Sequence, residues 1–293
     1  MEYVEFKGAF LQSLLNYLEQ DDNNWQVLIQ KMRRVNENEI DAFSIARKNQ
    51  HSHVKISRVF YLPDVYEVYQ RGESMDEILE SILDLAKVTY EEFDLERGFL
   101  NAGKYKKWIE AELIGRERNS LLLEQIVYRE FLDLAIIYRL KLRSRNGWTT
   151  SILITKEILK AWNMTPDELH LIAMQNTGER SHFAINNIAD LLELDEDDKF
   201  PIYVMSNLRY EYGAIGIAFP EVLNHAVEIV GDHFIILPSS LHEVLLLPWV
   251  PGKDQILHKL VETVNREVIP AELQLSDSIY RYDRETECIE IVQ

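Results

Sequence analysis

Cysteine and long apolar runs are scarce in this sequence of 293 residues, and each absence excludes a class of protein. The single cysteine, Cys288, excludes an intrachain disulfide and a thiolate zinc cluster. No apolar run reaches the roughly 20 residues that span a bilayer, and the N-terminus lacks the charged-then-apolar layout of a signal peptide. These absences predict a cytoplasmic protein that does not enter a membrane. We expect Cys288 itself on the inner face of a C-terminal strand.

Basic residues are also scarce relative to acidic residues. The chain has 31 Lys and Arg against 49 Asp and Glu, so its formal net charge is −18 at pH 7. Binding to nucleic-acid phosphate is driven by basic groups that displace counterions, so general DNA or RNA binding is disfavoured. An acidic surface confers solubility, and it can also dock on a basic protein. The charge therefore favours a protein partner, and a basic protein more than an acidic protein. It leaves the oligomeric state open.

The sequence also lacks the patterns that hold metals or nucleotides. His225, His233, His242 and His258 lie in the C-terminal third, but no two have the close spacing of a preorganised chelate. The segment Gly213-Ala214-Ile215-Gly216 has too few glycines and no lysine to cradle phosphates. We therefore predict no metal site and no cofactor.

Helical and strand-like patterns succeed one another irregularly along the chain. They predict an α+β protein with antiparallel or mixed sheets covered by helices. Helices are predicted at 6–19, from Pro63 to Gly72, after a capping box at Ser74 and Glu77, and at 104–123, 155–160, 165–176, 185–194, 220–230 and 256–268. Strands are predicted at 25–32, 40–46, 54–62, 131–145, 148–154, 202–206, 214–219, 233–237 and 243–247, before a terminal hairpin around 283–286. We expect an N-terminal α+β region at 1–120 and a C-terminal α+β domain at 121–293.

The clearest local pattern is a central β-hairpin. Asn146-Gly147 between the strands 131–145 and 148–154 is typical of a two-residue type I′ turn. On the first strand four basic residues fall on alternate positions and therefore share one face: Arg139, Lys141, Arg143 and Arg145. This basic stripe is either a solvated sheet face paired with nearby carboxylates or a strip that binds an anion or a partner.

A second charged segment has the opposite sign. Asp195, Glu196, Asp197 and Asp198 form an acidic run that is either an exposed connector or part of a surface that binds a partner. A calcium loop would need ligands at set spacing around a central glycine, and these are absent.

The segment that carries the most reactive side chains is a turn opened by Pro238 between two apolar, strand-like runs. It contains Ser239, Ser240, His242 and Glu243. In the structural interpretation, the serine hydroxyls bond the backbone groups of the turn, as short hydroxyl side chains commonly do. His242 would then anchor the turn to another segment, for example at Asn207 or Asp277.

In the catalytic interpretation, Ser239 or Ser240 is a nucleophile activated by His242, and Glu243, Asp232 or Asp277 orients the imidazole. No glycine frames the serines as in a nucleophile elbow, and no oxyanion hole is recognisable, so this interpretation is the weaker one.

Several segments of the chain, in this order, resemble one uncharacterised family of hypothetical proteins from gut Gram-positive anaerobes. They include Phe131-Leu132-Asp133-Leu134-Ala135, Tyr203-Val204-Met205-Ser206-Asn207, Ile236-Leu237-Pro238-Ser239-Ser240-Leu241-His242-Glu243 and Leu275-Ser276-Asp277-Ser278-Ile279-Tyr280-Arg281-Tyr282. The family is a domain of unknown function with a Pro-Ser-Ser-Ile-His-Glu segment, in which this chain has Leu241 at the aliphatic position. The resemblance covers nearly the whole chain and implies a bacterial cytoplasmic setting, but no activity, cofactor or partner.

The sequence as a whole favours a non-enzymatic, acidic interaction protein that binds a macromolecular partner, such as a mobile-element accessory protein or an inhibitor. In that hypothesis the loop 238–243 is a structural latch. The alternative is a small hydrolase that uses a Ser/His/acid site at 239–243.

Overall fold

The computed structural model describes residues 1–20, 25–48, 58–93, 102–143, 149–193, 201–252 and 254–292. Within these ranges helices surround three antiparallel sheets, so the predicted α+β class is confirmed. In the same part of the chain, no helix has both the length and the apolar character needed to cross a bilayer.

The first sheet and its helices come from the N-terminal third. The elements are α1 (Tyr3–Gln20), β1 (Trp25–Arg34), β2 (Glu37–Arg47), β3 (Arg58–Tyr61), α2 (Leu62–Gln70) and α3 (Met75–Phe93), and the strand order is β1-β2-β3. Phe6, Phe10 and Leu14 recur at four-residue spacing on α1 and are fully buried, as expected for an amphipathic helix. They share a hydrophobic core with β2, α2 and α3.

The second sheet carries the predicted central hairpin. Its elements are α4 (Ala102–Tyr105), β4 (Ile109–Gly115), α5 (Ser120–Leu123), β5 (Tyr128–Phe131), β6 (Leu134–Arg143), β7 (Thr149–Leu153), α6 (Lys156–Ala161) and α7 (Pro166–Ser181). Strand β6 is the spine: β4 pairs along one side of it, and β5 and β7 pair with successive halves of the other side. The hairpin strands β6 and β7 are thus confirmed, whereas Asn146-Gly147 lies outside the described residues.

The third sheet is formed by the C-terminal part. The elements are β8 (Phe183–Asn187), α8 (Ile188–Leu191), β9 (Tyr203–Asn207), α9 (Pro220–Val230), β10 (His233–Leu237), β11 (Val244–Pro248), α10 (Asp254–Glu267), β12 (Ile279–Asp283) and β13 (Cys288–Val292). The strand order is β13-β12-β10-β11-β9-β8, with every pair antiparallel.

Several predicted elements are wrong. The helix predicted at 104–123 contains strand β4. Of the helix predicted at 185–194, residues 185–187 belong to β8, and the helix found there is the short α8. The strand predicted at 214–219 is a 3₁₀ helix, Gly213–Ala218, and it is mostly buried, so its apolar run reflects burial on all sides. The strand predicted at 131–145 begins at Leu134, because Leu132 has φ 58° and the chain turns there. Cys288 is exposed and does not face a core.

The second and third sheets share one hydrophobic core, separate from the core of the first sheet. Asn36, in the β1–β2 turn, ties the first sheet to the rest: its N–H donates to Asn119 Oδ1 (2.7 Å) and its side-chain amide to Gln274 O (2.6 Å). Strand β4, at 109–115, pairs with β6, at 134–143, across the predicted division at residue 120. The division itself stays a prediction.

Candidate functional site

The two serines of the 238–243 turn make their hydrogen bonds with main chain. Ser239 Oγ donates to Glu243 O (3.3 Å), and Ser240 Oγ accepts from the His242 N–H (3.1 Å). The Ser240 N–H donates to Glu243 O (3.1 Å). These bonds join both ends of the turn between β10 and β11, as short hydroxyl side chains often do in turns.

His242 is anchored to the backbone of Tyr212. Its Nδ1 accepts a hydrogen bond from the Tyr212 N–H (3.1 Å), and the two rings pack edge to face with their centroids 5.4 Å apart. Because Nδ1 is the acceptor, the proton of the neutral imidazole is on Nε2. Among the described residues, the hydrogen bonds of the His242 ring include neither Asn207 nor a carboxylate.

Tyr212 ends a tightly organised segment, residues 208–212, that we call the tyrosine loop. The side chain of Asn207 spans it: Nδ2 donates to Glu211 O (2.6 Å), and Oδ1 accepts from the N–H groups of Arg209 (3.0 Å) and Glu211 (3.2 Å). Tyr210 and Tyr212 have φ 52° and 53°, a left-handed conformation that is costly for bulky residues. The bonds to Asn207 and His242 hold the loop in this conformation.

Gly213, the next residue, allows the tyrosine loop to lie against the serine turn. A Cβ at Gly213 would lie 2.6 Å from His242 O and 2.7 Å from the backbone N of Asn207. Only glycine fits at such a close approach of two backbones. Ser206 Oγ donates to the same His242 oxygen (2.6 Å), which further fixes the two segments.

The basic stripe leads to the second half of the site. Arg139 and Lys141 on β6 lie on the same face as Glu110 and Glu112 of the neighbouring strand β4. Arg139 Nε donates to Glu112 Oε2 (2.8 Å), and Lys141 Nζ lies 3.1 Å from Glu112 Oε1 and 3.2 Å from Glu110 Oε2. Arg180 of α7 adds a third cation, with Nη1 3.3 Å from Glu110 Oε1. These five residues are the charged cluster.

The charged cluster is largely removed from solvent. The side chain of Glu112 is 0% exposed, and those of Arg139 and Lys141 are 14% and 19% exposed. Burial alone would raise the pKa of Glu112, but the charges of Arg139 and Lys141 hold it below its ordinary value.

Tyr212 brings the charged cluster and the serine turn together. Its ring lies over the two cations of β6, with the Lys141 Nζ 5.1 Å and the Arg139 Cζ 6.0 Å from the ring centroid. The site therefore joins both segments that the sequence singled out.

Helix α7 supports the cluster from the open edge of β4. Thr177 Oγ1 accepts from the Ala111 N–H (2.8 Å), and the Asn176 amide donates to Ile109 O (2.8 Å), so side chains of the helix satisfy backbone groups of an edge strand. Helix α7 continues to Ser181, beyond the end predicted at residue 176. A Cβ at Gly178 would lie 3.2 Å from the Phe219 ring, a close contact that glycine avoids.

Four residues of the site were not predicted from the sequence: Glu110, Glu112, Arg180 and Tyr212. Glu110 and Glu112 have the same two-residue spacing as Arg139 and Lys141, so a complementary stripe was visible, but only after 109–115 is recognised as a strand. Of the other predicted binding residues, Arg143 is the last residue of β6, whereas Arg145, Asp195, Glu196, Asp197 and Asp198 lie outside the described residues.

In the described part of the chain, no group of three or more His, Cys, Asp or Glu side chains is arranged to hold a metal ion. No curated protein and no solved structure matches this chain. One family profile does match, over residues 3–284, which is nearly the whole chain. The chain therefore belongs to the Family of unknown function (DUF5688).

Proposed function

We propose that this protein is a non-enzymatic cytoplasmic interaction protein that engages a basic macromolecular partner through its acidic surface. A mobile-element accessory protein or an inhibitor would have this property. The observation that carries the proposal is the separation of charge: three basic side chains are paired inside the charged cluster, whereas carboxylates dominate the exposed side of α2 and α3.

The exposed side of α2 and α3 is strongly acidic. Residues 62–87 contain seven acidic and two basic side chains, and all seven acidic ones are exposed. Asp76, Glu80 and Asp84 follow one another at four-residue spacing along α3, and we call them the α3 acidic face. No described basic group lies within ion-pair distance of these three carboxylates. Like charges at this spacing destabilise a helix by a few tenths of a kcal/mol, a cost that a binding role would offset.

The alternative, a small hydrolase at 239–243, has less support. A serine nucleophile needs its hydroxyl on the imidazole and an acid on the other ring nitrogen. Here Ser239 and Ser240 bond main chain, and His242 Nδ1 accepts from a backbone N–H. This arrangement is better suited to a latch that fixes the tyrosine loop.

The acidic-surface proposal is tested by charge reversal with a matched control. The test variant carries Asp76→Lys, Glu80→Lys and Asp84→Lys. The control carries Glu221→Lys, Glu228→Lys and Glu262→Lys, which alter three exposed carboxylates on α9 and α10 by the same amount. Circular dichroism and thermal unfolding check that both variants fold.

Each protein is crosslinked in native host cells and purified at rising salt. We expect the wild type and the control to retain the same basic partner, the α3 variant to lose it, and recovery to fall with salt because the contact is between exposed charges. Equal recovery by all three proteins, recovery that salt does not change, or the absence of a specific partner would contradict the proposal.

A further inference from the structure

We propose that the charged cluster is a binding site for a small organic monocarboxylate, whose anionic group is held by Arg139 beneath the ring of Tyr212.

The first support is the charge of the cluster. Within the described residues, three cations, Arg139, Lys141 and Arg180, form ion pairs with two carboxylates, Glu110 and Glu112, so these pairs leave one positive charge over. A half-buried excess charge is unfavourable unless a counter-charge joins it. One carboxylate would balance the charge of these five residues, whereas a dianion would make it negative.

The second support is a donor that is not used within the protein. The guanidinium of Arg139 donates through Nε to Glu112 and through Nη1 to Ser151 Oγ at a long 3.3 Å. Nη2 donates to no acceptor among the described residues. Because Ser151 is exposed and its bond is long, an incoming carboxylate can take both Nη1 and Nη2 in the planar, two-bond geometry that guanidinium groups favour.

The third support is the aromatic surroundings. The ring of Tyr212 covers the two cations of β6, with its centroid 5.1 Å from Lys141 Nζ and 6.0 Å from Arg139 Cζ. Ligand sites are commonly lined by aromatic rings with a few polar groups that fix orientation. A carboxylate attached to a flat apolar body, such as benzoate, matches this lining.

The tyrosine loop adds a conformational argument. Left-handed backbone at Tyr210 and Tyr212 is strained, and such strain concentrates at ligand clamps and active sites. His242 and Asn207 hold the strained loop so that the Tyr212 ring stays over the cations. His242 is thus a positioning residue for the proposed site.

The test is isothermal titration calorimetry of the full chain with benzoate, and with inorganic phosphate as the competing anion. Arg139→Lys keeps the charge and a bond to Glu112 but cannot form the planar two-bond contact. Its matched control is Arg129→Lys, because Arg129 pairs with Asp167 at an exposed site on the same sheet. Tyr212→Asn removes the ring with a residue that tolerates the left-handed conformation.

We expect saturable binding of benzoate by the wild type and by Arg129→Lys, and at least about tenfold weaker binding by Arg139→Lys and by Tyr212→Asn, since each loses a contact to the ligand. Phosphate should bind more weakly than benzoate. No saturable binding of benzoate by the wild type, unchanged affinity in both site variants, or a preference for phosphate would overturn the inference. The α3 acidic-face variant should bind benzoate like the wild type, so the two proposals fail independently.

Discussion

Replacing Glu112 by glutamine is the sharpest perturbation of the charged cluster. The substitution keeps the size of the side chain but removes its charge between Arg139 and Lys141, whose nitrogens lie 2.8 Å and 3.1 Å from its oxygens. Arg139 then has no carboxylate partner within the described structure, whereas Lys141 keeps Glu110.

Removing one partner of a buried ion pair costs about 3–5 kcal/mol because the remaining charge is left uncompensated. The cations keep some exposure, 14% for Arg139 and 19% for Lys141, so we expect the lower end, about 3 kcal/mol of unfolding free energy. Replacing the three residues together by Glu112→Leu, Arg139→Leu and Lys141→Met should cost much less, because the three charges are removed together and Glu110 keeps its ion pair with Arg180.

Urea unfolding followed by tryptophan fluorescence measures these differences. Glu117→Gln is the control, since Glu117 is exposed just beyond β4 and should change the free energy by no more than about 0.5 kcal/mol. If Glu112→Gln unfolds at the same urea concentration as the control, Glu112 is solvated in solution and the description of a buried cluster is wrong.

The ion pairs of Glu112 with Arg139 and Lys141 also predict how the stability of the protein depends on pH. The pKa of Glu112 in the folded protein lies below its ordinary value of 4.5. Burial alone would raise this pKa, but the charges of Arg139 and Lys141 more than offset that rise. The stability from this lowered pKa is therefore complete above pH 4.5 and is lost as the pH falls through the folded-state pKa. The free-energy difference between the wild type and Glu112→Gln should accordingly shrink in acid and stay constant from pH 6 to neutral pH; a difference that grows in acid would contradict this sign.

Other residues give further predictions. Gly213→Ala should lower the unfolding free energy by at least about 2 kcal/mol, because the added Cβ overpacks the site. Gly8→Ala should raise it by about 0.5 kcal/mol, because the space around its Cβ is open. Denaturant midpoints measure both changes. Tyr280→Phe removes a buried hydroxyl that donates to a carboxylate at 2.7 Å and should cost about 1.5 kcal/mol in the same assay. His242→Ala should speed hydrogen exchange at the Tyr212 amide without unfolding the β-sheets; unchanged exchange there would refute the latch.

Local periodicity was enough to predict much of the fold. Helix α1 has its apolar residues at helical spacing, α9 begins at Pro220 as predicted, and the capping box at Ser74 and Glu77 is present before α3. These patterns depend on residues close together in the sequence, so they can be recognised without knowledge of the tertiary structure.

The complete burial of strand β4 could not be recognised in that way. The sequence Ile109-Glu110-Ala111-Glu112-Leu113 alternates as a half-exposed strand would, yet every residue of β4 is buried. The glutamates can be buried only because cations of β6 and α7 reach them, and those cations lie about 30 to 70 residues away in the sequence. A buried polar face depends on long-range pairing and is invisible to periodicity.

Local sequence patterns also did not show how the parts of the candidate site are connected. The sequence singled out His242 for its reactive neighbours and Lys141 for its alternating charge, as two unrelated features. Their connection is Tyr212, whose backbone N–H binds the imidazole while its ring covers the Lys141 ammonium. That contact depends on the left-handed backbone of Tyr212 and on the absence of a side chain at Gly213, and neither has a sequence pattern of its own. Because one residue links the turn to the cations, substitutions in the serine turn should alter anion binding at the cluster, an effect that a latch confined to the turn would not produce.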